Sequence, residues 1–273
     1  MGNLNLKEAK TLVMRVSLLS RAIKIFREEG TRSLFKKASA YILASVKTLR
    51  DRVYHRIYVS SKAEMKITDE FHKLYYDSHI WGKTWATTFW LGVPTLKCPL
   101  DLWVYQEIIF EIKPDVIIET GTAWGGGAFY LASICDLVNN GTVITIDIEG
   151  REGSPKHRRI KYLLGSSTSK EIEEEVGNLI SAGAKVMVIL DSNHHKEHVL
   201  NELRIYGKWV TKGSYIIIED TNINGHPVLP DFGSGPMEAV DEFLKENGDF
   251  VVDRSKEKLL LTFNPRGYLK KVA

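Results

Sequence analysis

The sequence predicts an α/β protein: a Rossmann-like, seven-stranded and mostly parallel sheet, closed by an antiparallel hairpin and preceded by a basic helical arm. Two observations predict the sheet. From about residue 100, short β-branched runs alternate with helical stretches, the pattern of strand, helix, strand units. Several of these runs stop at a carboxylate, and one opens into the glycine-rich turn Glu119-Thr-Gly121-Thr-Ala-Trp-Gly125-Gly126-Gly127. A third observation predicts the arm: residues 1–60 hold 13 Lys or Arg against 4 Asp or Glu.

The expected strands are Asp115 to Glu119, Thr142 to Asp147, Ile160 to Leu164, Val186 to Asp191 and Tyr215 to Glu219. Two further runs, Phe250 to Asp253 and Leu259 to Phe263, read as the closing hairpin. Residues 1–70 form the arm and 71–273 the main domain. In the arm, Arg21, Lys24, Arg27, Lys36 and Lys37 alternate with Leu18, Leu19, Ile23, Ile25, Phe26, Leu34, Phe35, Tyr41 and Ile42, as in amphipathic helices. Such a segment suits packing on the domain, a second copy in a homo-oligomer, or peripheral contact with an anionic membrane face. No nucleic-acid-binding motif accompanies the charge. No apolar run approaches the roughly 20 residues of a membrane span. The two cysteines, Cys98 and Cys135, show no CxxC spacing and no signal-peptide pattern opens the chain, so a cytoplasmic location is expected.

The turn after the first strand differs from the dinucleotide GxGxxG, because Gly121 and Gly125 stand four apart. Glu119 brings negative charge to it, which repels a pyrophosphate and attracts a sulfonium or an ammonium. S-adenosylmethionine carries both cations. Glu119, Gly121, Thr122, Gly125 and Gly126 are therefore expected to hold that cofactor. Asp147, ending the next strand, stands where nucleotide-binding folds place the acid that accepts from ribose hydroxyls. Ser166 and Ser167 supply a small polar turn for the adenine edge, although a plain loop explains them equally well. Another nucleotide in another α/β fold remains the alternative.

Asp191, Glu219 and Asp220 end two further strands and should converge at the crevice. Three carboxylates that close repel one another unless a cation neutralises them, and oxygen ligands favour Mg²⁺, with Mn²⁺ or Ca²⁺ as alternatives. Asp191 would then serve both cofactor and metal, and a hydroxyl at the ion becomes easier to deprotonate. His194, near a helix N-terminus, is the expected base, with His195 as runner-up; one of the two could instead cap the helix or orient a carboxylate. Aromatic residues Tyr75, Tyr76, Trp81, Trp85, Phe89 and Trp90 and the hinge-rich stretch 221–236 are candidates for the acceptor pocket and its lid.

Glu119-Thr-Gly-Thr with Gly125-Gly126, Asp191-Ser-Asn-His194 and Ile218-Glu219-Asp220-Thr-Asn222 together resemble the cephalosporin hydroxylase family, which includes bacterial rhamnosyl O-methyltransferases. The resemblance covers roughly residues 70–265. It implies a class I S-adenosylmethionine-dependent methyltransferase with magnesium on Asp191, Glu219 and Asp220. A sugar hydroxyl, rhamnosyl-like and borne by a glycolipid or polysaccharide, would be the acceptor. The segment from Trp90 to Trp103 would fold over the methionine end of the cofactor, with Lys97 meeting its carboxylate. The spacing from Asp191 to Glu219 is also similar to that of catechol O-methyltransferases, in which a lysine stands where His194 is here. Methylation of a catechol or natural-product hydroxyl, and a non-catalytic cofactor-binding partner of another enzyme, are the competing readings.

Overall fold

The computed structural model describes residues 6–58 and 61–273. The chain divides into two compact units, Met1–Lys66 and Ile67–Ala273. The first is helical. Helix α1 (Leu6–Tyr58) is interrupted at Gly30, whose φ of 78° and ψ of 176° lie outside helical space. Gly is the residue that takes such a backbone at no side-chain cost. Helix α2 (Ser61–Asp77) begins in the first unit and runs into the second.

The second unit carries the short hairpin β1 (Phe89–Trp90) and β2 (Val93–Pro94), then α3 (Pro99–Ile112), β3 (Val116–Thr120), α4 (Gly126–Leu137), β4 (Thr142–Asp147) and β5 (Ile160–Leu164). There follow α5 (Lys170–Leu179), β6 (Val186–Leu190), α6 (Lys196–Tyr206), β7 (Tyr215–Ile218), α7 (Pro236–Glu246), β8 (Phe250–Val252) and β9 (Tyr268–Lys271). Seven strands form one sheet in the order β5-β4-β3-β6-β7-β9-β8. The first five strands of that order pair in parallel, and β9 pairs antiparallel with both β7 and β8. Strand order reverses at β3, which pairs with both β4 and β6. Ligands of open α/β sheets collect at the carboxyl ends beside such a switch point.

Strand periodicity sorts the core. Val116, Ile118, Val188 and Ile216 face a layer made by α5, α6 and α7, including Val176, Leu203 and Phe243. Ile117, Met187, Ile189 and Ile217 face the opposite layer, made by α3 and α4 with Ile108, Ile109 and Leu131. Apolar residues on both faces explain why the central strands read as continuous runs rather than alternating ones.

The expected hairpin is only half present. Phe250–Val252 is a strand, but its partner is Tyr268–Lys271, not the run Leu259–Phe263. Leu260 has a φ of 70°, which no strand residue adopts. The run instead tucks Leu261 and Phe263 into a small cluster with Cys98, Tyr75, Tyr76 and Trp85. Buried Asp101 holds it there, accepting from Thr262 Oγ1, from Phe263 N at 2.8 Å and from the Tyr268 hydroxyl at 2.8 Å. Three hydrogen bonds to one buried carboxylate outweigh the β preference of five residues.

Burial pushes the Asp101 carboxyl up to about 6, against the pull of the Thr262, Phe263 and Tyr268 donors. A carboxyl raised in the folded state adds stability below its unfolded value of 3.8, and that contribution is lost as pH rises through about 6. We expect Asp101→Asn to carry a fixed penalty from its mismatched amide but to remove this slope. Denaturant midpoints measured across that window should show wild type losing up to about 3 kcal/mol relative to the variant. Parallel curves would remove Asp101 as the buried titrating group.

Candidate functional site

At the carboxyl ends of β3, β4, β6 and β7 lies a crevice in two lobes that share Gly121, Ala123 and Asp191. The larger lobe, about 500 Å³, is bounded by Asp147, Ile148, Arg151, Ser166, Ser167, Ser192 and His198 among others. The smaller, about 300 Å³, reaches Lys97, Glu119, Thr122, His194 and Asp220, with Tyr76, Trp85, Leu229 and Phe232 on its outer wall.

The glycine-rich turn works by close approach. Gly121 has a φ of 87°, and a Cβ there would lie 1.9 Å from the Asp191 carbonyl oxygen. Only glycine lets the β3 and β6 ends meet so tightly. At Gly125 and Gly126, expected as cofactor contacts, a Cβ would meet Pro155 and Tyr162 in the first case and the Pro94 carbonyl at 2.1 Å in the second. Thr122 lines the smaller lobe and shares a 2.7 Å hydrogen bond with Thr145.

Asp147 sits in the larger lobe with each carboxylate oxygen already held by the backbone. Oδ2 accepts from Ala123 N at 2.9 Å and Oδ1 from Glu149 N at 3.0 Å. Its orientation is therefore fixed, while each oxygen keeps a lone pair for a hydroxyl. Glu119 is buried, and Oε2 accepts from Thr145 Oγ1 at 2.7 Å. Oε1 has no partner. Burial raises the Glu119 carboxyl to about 7, opposed mainly by the Lys97 charge. A buried acceptor without a donor, beside a glycine cradle, fits a ligand carrying positive charge or N–H groups.

Lys97 departs from the expectation that it reaches toward a ligand carboxylate. Its Nζ is buried and donates to Asp191 Oδ2 and Glu219 Oε1, each at 2.6 Å. Burial alone would lower the ammonium pKa, but the charges of Asp191, Glu219 and Glu119 together hold it well above the ordinary lysine value. The Glu219 carboxyl is itself raised well above its usual range, by burial first and by Asp191 second.

Lys97 thus lies between two of the three expected metal acids. Glu219 faces Lys97, whereas Asp191, His194 and Asp220 offer ligand atoms that all lie within 4.8 Å of one another. Asp220 adopts a φ of 54°, and its N–H donates to Asn264 Oδ1 at 3.1 Å. This left-handed turn aims its carboxylate at His194, whose Nε2 is 3.2 Å from Oδ2. Burial raises the Asp220 carboxyl, with His194 acting against it. The two carboxylates would suit a hard divalent ion, Mg²⁺ or Mn²⁺ with waters completing the shell, and the imidazole stands beside them. His195 caps α6 by position, without a side-chain capping bond, and stacks on Phe232 at 5.1 Å.

The 221–236 stretch is pinned rather than free. Glu238 of α7 accepts from Asn224 at 3.1 Å and from Gly235 N at 2.7 Å, and pairs with His226 at 2.9 Å. Of the aromatic candidates, Tyr76 and Trp85 reach the smaller lobe. Tyr75 packs on Phe263, Trp90 donates to Ser133, and Trp81 and Phe89 are exposed to solvent. Sequence reasoning missed Glu202 and His198, which stand four apart on α6 under the larger lobe. No local pattern marks them, because the burial of Glu202 comes from the fold.

Residues 82–272 match the family model described as Rhamnosyl O-methyltransferase/CmcI. A rhamnosyl O-methyltransferase of Mycobacterium leprae (strain TN) is 37% identical over 209 residues, covering 74% of this chain and 90% of that protein. One from Mycobacterium tuberculosis (strain ATCC 25618 / H37Rv) is 37% identical over 210 residues, covering 74% of this chain and 84% of its own. Among solved structures, CmcI with Mg-SAM superposes with a TM-score of 0.54 at 20% identity, over 69% of this chain and 78% of that one, a likeness of fold. With a match that takes in every side chain of the crevice from Lys97 to Asp220, the chain belongs to the rhamnosyl O-methyltransferase/CmcI family.

Proposed function

We propose that the chain is an S-adenosylmethionine-dependent O-methyltransferase, assisted by Mg²⁺ or Mn²⁺, whose acceptor is a sugar hydroxyl, rhamnosyl in kind and carried on a glycolipid. The observation that carries this reading is the 37% identity to rhamnosyl O-methyltransferases across three quarters of the chain. The crevice supplies matching chemistry. Asp147, fixed by two backbone donors, accepts from the ribose hydroxyls, and Ser166 and Ser167 meet the adenine edge. Glu119 Oε1, buried without a donor, takes the cationic methionine end.

Asp191 and Asp220 would hold a divalent ion, which would supply Lewis acidity for the acceptor hydroxyl. His194 takes the hydroxyl proton: with Nε2–H turned toward Asp220, Nδ1 is left to receive it, and Asp220 stabilises the imidazolium that forms. S-adenosylmethionine held there would supply the methyl group from its sulfonium, leaving a neutral thioether. Lys97 holds Asp191 and Glu219 apart in charge, so that Asp191 stays aimed into both lobes. Tyr76, Trp85 and Phe232 offer ring faces for the C–H surface of a sugar.

Two tests bear on this site. Asp147→Ala should weaken S-adenosylmethionine binding by calorimetry at least about 10-fold, from the loss of charge-assisted bonds. His194→Gln should leave that affinity unchanged and lower kcat about 10² to 10⁴-fold on a rhamnosylated glycolipid. Activity within threefold of wild type would remove His194 as the base. Turnover of catechol but not of the rhamnosylated lipid would move the acceptor to another class.

The arm fits a glycolipid acceptor. Phe35, Ile42, Val46, Leu49 and Val53 recur on one face of α1 and are all exposed, while Arg32, Lys36, Lys47 and Arg50 flank them. This suits a helix lying in an anionic lipid surface at the cytoplasmic face, a compartment consistent with two buried free thiols. Among the described residues no helix is long and apolar enough to cross a membrane. The intact chain should co-sediment with phosphatidylglycerol vesicles at least about 10-fold better than with phosphatidylcholine vesicles, and Leu49→Glu should abolish the difference. Failure to discriminate, together with a dimer dispersed by Leu49→Glu in ultracentrifugation, would assign the stripe to a second copy.

A further inference from the structure

Beneath the larger lobe lies a buried acid that the proposed chemistry does not use. Glu202 on α6 has no solvent exposure. Its Oε1 accepts from Ser167 Oγ at 2.6 Å and from Ser192 Oγ at 2.7 Å, while Oε2 is buried without a partner. His198 Nε2 lies 3.2 Å from Ser167 Oγ and 3.4 Å from Glu202 Oε1. Between a carboxylate oxygen and a hydroxyl whose hydrogen is already given away, this nitrogen must carry a proton. Ser167, Ser192 and His198 all line the lobe. The Tyr206 hydroxyl, donating to the Ser167 carbonyl at 2.7 Å, fixes the turn from below.

Each hydroxyl has one hydrogen. With both hydrogens committed to Glu202, Ser167 and Ser192 present only lone pairs toward the lobe. A fully buried carboxylate with one oxygen unpaired is costly, so a core built for stability alone would have done better with an apolar side chain. We propose that Glu202 is a positioning residue that sets the polarity of Ser167 and Ser192, making this wall of the pocket an acceptor surface selective for a 6-aminopurine over a 6-oxopurine. The exocyclic amine of an adenosyl ligand donates to these oxygens. The carbonyl of an inosyl ligand meets lone pairs with lone pairs. The inference rests on the cofactor reading above, and it adds what distinguishes the accepted purine from its deaminated form.

The test compares binding of S-adenosylhomocysteine and S-inosylhomocysteine by calorimetry. Wild type should favour the adenosyl compound by at least about 100-fold, as expected of a site whose polar groups are left unpaired by the wrong ligand. Glu202→Met frees both hydroxyls to rotate, so it should bind the inosyl compound more tightly than wild type does, with the ratio falling to about 10 or less. A gain in affinity for one ligand is a result that general damage to the fold does not produce. Ser167→Ala, a surface-preserving change, should weaken only the adenosyl compound, by about 10-fold, and serves if Glu202→Met does not fold. Equal affinities in wild type, or equal losses for both ligands in the variants, would overturn this inference alone. Binding of neither compound by wild type would overturn the cofactor reading and this inference with it.

Discussion

Lys97 Nζ, buried, lies 2.6 Å from Asp191 Oδ2 and 2.6 Å from Glu219 Oε1, and at this point the 93–98 segment, the end of β6 and the end of β7 are tied together. Parallel strands that end in acids at a switch point face a common difficulty. The geometry that gathers ligands there also gathers like charges, and burial makes the repulsion severe. An ammonium placed between two of the acids resolves most of it without closing the crevice. Asp191 and Asp220 line the smaller lobe, and Glu119, the third acid acting on Lys97, lines it too with one buried oxygen unpaired. Removing the lysine would leave the buried Glu219 and the partly buried Asp191 without their cation, so the arrangement of both depends on it.

The chain's local choices support that centre. Gly121 admits the Asp191 backbone at a distance no side chain would allow, and the left-handed turn at Asp220 directs its carboxylate away from Glu219 and onto His194. Asn264 supports that turn through the Asp220 N–H and donates its amide to the Tyr105 hydroxyl at 2.8 Å, while the neighbouring Thr262 and Phe263 are held by Asp101. The irregular segment before β9 is therefore part of the machinery that aims the site.

Most of the sheet could be read directly from the chain because the central strands are buried on both faces and their β-branched runs are uninterrupted. The last strand could not. Leu259–Phe263 is more apolar than Tyr268–Lys271, and only the distant Asp101 decides between them. The acids at the strand ends were legible for the same reason as the strands, since a run that stops at a carboxylate marks both the end and the site. Lys97 was not, because its partners lie 94 and 122 residues away and no local pattern announces a lysine that leaves solvent. Glu202 was hidden in another way: a glutamate on an amphipathic helix reads as surface until the fold buries it.

Asp191 belongs to both lobes of the crevice: its carbonyl oxygen abuts the Gly121 turn, and its carboxylate points to Lys97 and the His194–Asp220 pair. One residue thus forms a wall common to two binding sites. A ligand in one lobe that shifted Asp191 would alter the affinity of the other lobe for its own ligand. Such a linkage runs in both directions with equal magnitude. Whatever tightening a ligand of one lobe conferred on a ligand of the other would be returned in full.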